Sequence, residues 1–276
     1  MPMATPRPSH ADELADGERF AFGANWRRFL DTVDDQRIAE ARGAIVDMLD
    51  LADLGGMQFL DIGCGSGLSS LAARRLGARV HAFDYDPASV ACARELKRRY
   101  AAADRDWRIE ESSALDTAYI AGLGGFELVY SWGVLHHTGA MWRALENAAV
   151  PVVDGGRLFI AIYNDQGWIS GYWRAVKRLY NRFALLGPLI VAFHAPYLFG
   201  ARWLVRALTG RLALERGMSL WHDMIDWLGG YPFEVATPNA IIDFYRERGF
   251  TPLRVKTCGN RHGCNEFVFL RERRLV

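Results

Sequence analysis

A glycine-rich segment that directly follows a short apolar run constrains the fold of this chain more than any other feature. Residues 59–62 have the pattern of a buried strand, and Gly63, Gly65 and Gly67 separate them from an Ala- and Leu-rich stretch that predicts a helix. Glycines at such a turn let a ligand approach the backbone, and the start of the helix offers N–H groups without intrahelical partners. The sequence therefore predicts a strand–turn–helix unit that binds a ligand at the turn.

The segments around this unit alternate between strand and helix patterns. Strands are predicted at residues 59–62, 79–83, 107–110, 126–131, 157–162, 251–256 and 266–270, and helices at 35–51, 68–76, 87–99, 141–149 and 238–248. Strands that alternate with helices pair in parallel through right-handed crossovers. We therefore predict an α/β fold with a doubly wound, seven-stranded, mostly parallel and Rossmann-like sheet, whose last strand is antiparallel to its neighbour.

The spacing of the glycines distinguishes between two kinds of nucleotide-binding turn. A dinucleotide-binding turn has the form G-x-G-x-x-G, and Leu68 stands where its third glycine belongs. Residues 61–67 have instead the form D-x-G-x-G-x-G, which resembles motif I of the class I S-adenosylmethionine (SAM)-dependent methyltransferases. The resemblance implies SAM as the cofactor and S-adenosylhomocysteine (SAH) as its product. It also implies cofactor contacts from Asp61, Gly63, Cys64, Gly65 and Gly67.

Further SAM contacts are expected near the ends of the next strands. Asp84 ends the second strand, where a carboxylate can accept both ribose hydroxyls, and the resemblance implies that Tyr85 lies against the adenine. The resemblance places the adenine edge near Ser113 and Ala114, although Ser113 stands where the family often has an aspartate. Trp26 lies in a stretch that resembles the N-terminal cover of several relatives, and ordinary aromatic packing is an equally good interpretation of it.

Residues 130–137 close the fourth strand and contain the only adjacent pair of histidines in the chain. This segment resembles the corresponding region of small-molecule methyltransferases near the ubiquinone-biosynthesis group, which implies that Ser131 and Trp132 contact SAM. His136 or His137 is a candidate catalytic base, because a neutral imidazole can take a proton from a hydroxyl or an amine. Capping of the next helix or binding to backbone is the alternative role for both histidines.

The chain divides into a core at residues 57–163 and 237–276, an N-terminal helical cover at 1–56, and a helical insertion at 164–236 that we expect to form a lid over the acceptor. Tyr163, Asn164 and Asp165 leave the fifth strand at its carboxyl end, where ligands bind in open α/β sheets. His222 and Asp223, later in the insertion, are the other acceptor-binding candidates. A salt-bridged helix face is favoured over a metal site at these residues, so no metal is expected.

Charge is balanced over the whole chain but not within the insertion. The 276 residues include 33 Lys and Arg against 32 Asp and Glu, which argues against a dedicated nucleic-acid binder. Residues 168–217, however, carry eight basic residues and one acid. This basic and aromatic segment has two interpretations, a helical lid packed on the domain or an interfacial segment lying on anionic lipid.

Cysteine usage and the N-terminus bear on location. The four cysteines are too few and too scattered for a disulfide scaffold, which favours a reducing cytoplasm. Residues 1–20 have the pattern of neither a secretory signal nor a transit peptide. We therefore expect a cytoplasmic protein, with peripheral contact at the inner membrane face if the interfacial interpretation holds.

These features predict a SAM-dependent methyltransferase that moves a methyl group to O or N of a small-molecule or lipid-like acceptor by in-line displacement. Holding donor and acceptor in near-attack geometry supplies much of the rate of such a reaction, so a base is optional. Three alternatives remain open. They are C-methylation or other SAM-dependent chemistry on the same fold, an NAD-dependent oxidoreductase, and a non-catalytic SAM-binding protein associated with a membrane.

Overall fold

A computed structural model describes residues 9–201, 220–259 and 263–273. Their sheet has the strand order β3-β2-β1-β4-β5-β7-β6, in which the first five strands are parallel and β7 is antiparallel to both of its neighbours. The α/β doubly wound fold is thereby confirmed. The strands are β1 Gln58–Ile62, β2 Arg79–Asp84, β3 Trp107–Glu111, β4 Phe126–Trp132, β5 Val152–Tyr163, β6 Phe250–Lys256 and β7 Cys264–Arg271.

Helices connect these strands and lie on both faces of the sheet. Several begin where the sequence provides a cap: Asp34, Asp86 and Thr237 each accept a hydrogen bond from a backbone N–H of the helix that follows. The helices are α1 His10–Ala15, α2 Phe22–Phe29, α3 Asp35–Leu49, α4 Leu68–Arg75, α5 Pro87–Tyr100, α6 Thr117–Gly122, α7 Met141–Ala149, α8 Trp168–Arg182, α9 Gly187–Ala195, α10 Leu220–Gly229 and α11 Pro238–Arg246.

Two apolar clusters bury the two faces of the sheet. Helices α3, α4 and α5 pack on one face around residues such as Phe59 and Phe159, and α7 and α11 pack on the other around Leu60 and Phe267. Alternate residues of one strand thus enter different clusters, as the pleat of a strand requires. Each fully buried large apolar side chain contributes roughly 1.5–3 kcal/mol to stability, so this layering holds the strand ends in fixed positions.

A third apolar cluster lies within the insertion. Trp173 and Val176 of α8 pack with Leu198, with Met224 and Leu228 of α10, and with Phe233, and Tyr163 at the end of β5 contacts this cluster. The insertion therefore packs against the carboxyl end of β5. Across the described ranges, every helix is too short or too polar to span a bilayer.

Candidate functional site

The glycine-rich turn after β1 has a backbone that side chains would disturb. Gly63 and Gly65 have φ angles of 75° and 53°, in the left-handed region. A Cβ atom at Gly63 would lie 2.6 Å from Cγ2 of Val134, and one at Gly65 would lie 3.0 Å from Nε1 of Trp26. The turn is thus enclosed by the chain after β4 on one side and by α2 on the other.

Asp84, at the end of β2, is joined to this turn. The N–H of Gly65 donates to its Oδ2 at 2.9 Å, and the N–H of Asp86 donates to its Oδ1 at 2.9 Å. Burial raises the pKa of Asp84 to about 6. These two bonds fix the orientation of the carboxylate, and each oxygen keeps capacity for a further hydrogen bond.

The N-terminal residues form a wall over this region. Oδ2 of Asp86 accepts the N–H of Gly23 at 2.7 Å, which links α2 to the start of α5. Tyr85 lies beneath the guanidinium of Arg19, 4.9 Å from its ring centroid, and its ring packs edge-on against His10 at 5.2 Å. Sequence reasoning anticipated Trp26 in this wall but missed the helix around His10 and the position of Arg19.

Other sequence-predicted cofactor residues divide into cavity-lining and supporting positions. Asp61, Cys64, Ser113, Ala114 and Trp132 line the same cavity as the glycine turn. Ser131 is fully buried, and its hydroxyl donates to the carbonyl of Ile62 at 2.9 Å, so its side chain joins β4 to β1. Asp61 also accepts the hydroxyl of Ser70 at 2.5 Å, which ties α4 to β1.

The cavity is large, with a volume of about 1910 Å³. Pockets for a single small molecule are typically about 300–1,000 Å³. The lining runs from His10 and Tyr85 at one end, past Gly65 and His137, to Glu266 at the other. The described residues therefore enclose room for a nucleotide-sized ligand and a second molecule.

The two histidines occupy different environments. His137 lines the cavity, and its Nδ1 lies 2.7 Å from the carbonyl oxygen of Pro232. His136 is 0% exposed, is absent from the cavity lining, and has no hydrogen-bond partner at Nε2 within the described ranges. Burial lowers the pKa of both rings, for His137 to about 3. Both imidazoles are therefore neutral at physiological pH.

Tyr163 is the sequence-predicted acceptor residue that lines the cavity. Its ring packs at a tilt against His136, with the centroids 4.0 Å apart, and meets Trp227 and Phe233 at 5.1 and 5.2 Å. Trp227 also lines the cavity. The end of β5 is thus packed into an aromatic cluster beside the histidine pair.

Asn164 and Asp165 differ from the expectation that they point into the crevice. Asn164 donates to the carbonyl of Gly259 at 3.1 Å and accepts from Asn265 at 3.0 Å, while Asp165 accepts the N–H of Gly167 at 2.9 Å. The chain turns after β5, so these polar groups hold the β6–β7 connection and the start of α8. The backbone of His222 and Asp223 belongs to α10, and their side chains lie outside the described part of the structure.

Lys177 and Glu234 were missed by sequence reasoning. Lys177 is 0% exposed, donates to the carbonyl of Trp227, and places its ammonium 4.8 Å from the ring centroid of Phe233. Glu234 accepts the N–H of Met141 at 2.9 Å and so caps α7. A lysine on the apolar face of a predicted helix is the one signal that could have identified Lys177. Among the described residues, no three His, Cys, Asp or Glu side chains are grouped to hold a metal.

Comparison with known proteins identifies similarities of domain and fold. Residues 60–158 match the family described as a methyltransferase domain. The ubiquinone biosynthesis O-methyltransferase of Xanthomonas oryzae pv. oryzae is 33% identical over 157 residues, which cover 56% of this chain and 62% of that protein. The chain thus spans about three fifths of the length of such relatives. The ribosomal protein L11 methyltransferase of Methylococcus capsulatus is 48% identical over 61 residues, 22% of this chain and 21% of that one.

A solved structure agrees over a longer range. The magnesium protoporphyrin IX methyltransferase of Synechocystis PCC 6803, solved with bound SAM, superposes with a TM-score of 0.54 at 14% identity and covers 90% of both chains. At this identity the likeness concerns the fold alone. The names of these three proteins refer to different acceptors, so similarity leaves the acceptor of this chain open.

Proposed function

We propose that this chain, which belongs to the class I SAM-dependent methyltransferases by its matched domain and its fold, transfers a methyl group to O or N of a small-molecule or lipid-like acceptor. The observation that carries the proposal is the arrangement of Asp84 and Gly65 in a cavity that also contains His137. It combines a nucleoside-binding end with room for a second molecule and a group that can accept a proton.

The residues at the glycine turn fit SAM. Gly63 and Gly65 line the cavity, so a ligand meets backbone rather than side chains at these positions. The ionised carboxylate of Asp84 can accept the ribose hydroxyls with the capacity that its two backbone bonds leave. Tyr85 provides a ring face for adenine. Leu68 is buried where a dinucleotide turn would need its third glycine, so NAD is the poorer fit.

The protein's own contribution to the reaction is to hold the acceptor and to receive its proton. SAM, when bound, supplies a methyl group on a sulfonium that is already reactive. His137 donates through Nδ1 to Pro232, so its Nε2 is the unprotonated nitrogen of the neutral ring. That nitrogen takes the proton from the acceptor's O or N as the new bond to carbon forms. Its low basicity delays the transfer until the arriving methyl group acidifies the acceptor.

Methyl transfer is tested with labelled SAM and a cell extract that is separated into organic, small aqueous and macromolecular fractions. We expect label in the organic or the small aqueous fraction with the wild-type protein. Asp84→Asn should abolish labelling and weaken SAH binding, because a ribose-binding charge is lost. SAH binding without label in any fraction contradicts the proposed activity, and tight NAD binding without SAH binding indicates an oxidoreductase instead.

We further propose a cytoplasmic location with peripheral contact between an anionic membrane and helices α8 and α9. Large apolar side chains are exposed on these helices and in the turn between them, including Trp168 at 81% and Leu185 at 92%. Arg174, Arg178 and Arg182 of α8 are exposed as well, and residues 168–201 contain no acid, although Glu18 lies 3.9 Å from the Arg178 guanidinium. An apolar surface bordered by arginine fits a bilayer interface that carries anionic headgroups.

Membrane contact is measured by sedimentation with phosphatidylcholine vesicles that do or do not contain phosphatidylglycerol. We expect binding to the anionic vesicles only, and loss of binding in Leu185→Glu and in Arg178→Glu. Leu253→Glu, at an exposed apolar site on β6, is the matched control and should bind as the wild type does. Equal sedimentation of all variants, or none with the wild type, contradicts the contact.

A further inference from the structure

From the region of Asp84 and Gly65, where the cofactor is proposed to bind, the cavity continues along the face of the sheet that α3 partly covers. Residues paired on neighbouring strands point to the same face of a sheet. Trp132 of β4 pairs with Ala161 of β5, and Ala161 pairs with Glu266 of β7. Glu266 pairs in turn with Lys256 of β6. One row therefore crosses four strands, and Trp132, Glu266 and Lys256 all line the cavity.

A second row lies directly below the first. Tyr130 pairs with Phe159, Phe159 with Val268, and Val268 with Arg254. Tyr130, Phe159 and Arg254 also line the cavity. The floor of this part of the cavity is therefore aromatic near β4 and β5 and charged near β7 and β6.

Glu266 is the buried polar group of this region. It exposes 9% of its surface, and within the described ranges no group donates a hydrogen bond to its carboxylate. Glu40 and Asp47 of α3 line the same cavity, as does Lys256, the cross-strand neighbour of Glu266. Arg254 is already engaged, because its guanidinium donates to the carbonyl of Asp47. A carboxylate that faces a cavity without a hydrogen bond from the protein is available to a donor group of a ligand.

We propose that Glu266 forms an acceptor subsite that binds a hydrogen-bond-donating group, an amine or a hydroxyl, on an acceptor that contains a flat ring. The ring packs on Trp132, which is partly exposed in the cavity, and the donor group reaches Glu266. Two strand spacings separate the Trp132 and Glu266 positions, about 10 Å, so the acceptor is extended along the row. This subsite rests on the proposed methyl transfer, for which it supplies the specificity.

The subsite is tested on the SAH-loaded protein with three ring-bearing probes of similar size: 2-phenylethylamine, 2-phenylethanol and 3-phenylpropionate. Binding is measured by ligand-observed NMR titration. We expect the amine or the alcohol to bind about tenfold more tightly than the carboxylate, as loss of one charge-assisted hydrogen bond implies. Preference for the amine identifies a cationic acceptor, and preference for the alcohol identifies a hydroxylated one.

Variants assign the binding to this residue. Glu266→Gln should weaken the amine about tenfold and leave the alcohol within about threefold, because the amide oxygen still accepts. Glu266→Leu should weaken both, whereas Glu247→Gln, at an exposed site on the turn after α11, should weaken neither.

Equal binding of all three probes, binding of none, or unchanged binding in Glu266→Leu overturns the subsite. SAH affinity distinguishes this failure from failure of the proposed function. We expect it to stay unchanged in both Glu266 variants. A wild-type protein that does not bind SAH contradicts the proposed function, and the probes are then titrated against the free protein with the same variants.

Discussion

His137 and Pro232 are joined by a hydrogen bond of 2.7 Å between Nδ1 and the backbone carbonyl oxygen, across 95 positions of sequence. A carbonyl only accepts hydrogen bonds, so Nδ1 carries the proton and Nε2 is the nitrogen able to accept one. The insertion thereby sets the tautomer of a side chain that the core places in the cavity. This relationship distinguishes His137 from His136, which is absent from the cavity lining.

Substitution of His137 tests its role as proton acceptor. In His137→Asn the amide N–H can replace Nδ1 toward Pro232 while the accepting ring nitrogen is lost. We expect methyl transfer into the labelled extract fraction to fall about 100-fold or more, with SAH affinity unchanged. His136→Asn is the comparison variant. We expect it to lower the free energy of unfolding and to leave the rate of methyl transfer unchanged. Retention of most activity in His137→Asn would show that no base is needed at this position.

The pKa of Asp84 predicts the pH dependence of cofactor binding. Burial raises this pKa to about 6 in the free protein, and only the ionised carboxylate accepts two hydroxyl donors at full strength. SAH affinity, measured by calorimetry, should therefore fall as pH decreases below about 6. Asp84→Asn should bind weakly at pH 7.5 and show no further loss at pH 5. An affinity that rises on acidification contradicts this assignment of the ribose-binding group.

The glycine turn allows backbone strain to be separated from steric overlap. Gly56 and Gly63 both have φ angles of 75°, but a Cβ at Gly56 meets nothing within 4 Å while one at Gly63 overlaps Val134. We expect Gly56→Ala to lower the free energy of unfolding by roughly 1–2 kcal/mol and Gly63→Ala to cost roughly 1–3 kcal/mol more.

Denaturant melts measure both costs of the glycine substitutions. Val134→Ala, combined with Gly63→Ala, should recover much of the additional destabilisation that Gly63→Ala shows relative to Gly56→Ala, since it removes the methyl groups that the new Cβ would meet. Equal destabilisation by Gly56→Ala and Gly63→Ala would mean that the chain after β4 moves away from the turn.

The buried ammonium of Lys177 affects both stability and the histidines. Lys177→Met fills nearly the same volume, whereas Lys177→Ala leaves a cavity, so we expect the alanine variant to be about 2 kcal/mol less stable than the methionine variant. The positive charge lowers the pKa of His137, although burial is the larger cause. The His137 pKa, followed by NMR, should rise in Lys177→Met but stay below its ordinary value. A fall in that pKa would contradict the interpretation.

Features that depend on neighbours in sequence were predictable. The strand–turn–helix unit and the alternation of strands and helices both follow from local periodicity and turn chemistry. Strand ends were less predictable: β5 begins at Val152 rather than at Arg157, because Val152 pairs with Phe126 of β4 beyond an interruption of the ladder at residues 153–156. Such pairing energy comes from a strand that is distant in sequence.

The tertiary structure alone decided which polar groups reach the cavity. Asn164 stands at the tip of a strand, where sequence reasoning placed a ligand contact, yet the β6–β7 connection engages it. Glu266 lies inside a strand of aromatic residues, and only the order β5-β7-β6 brings it into the cavity. The direction of these side chains is determined by hydrogen bonds to segments that are far apart in the chain. A sequence pattern shows local conformational preferences, but it does not show which distant residues will be the hydrogen-bond partners.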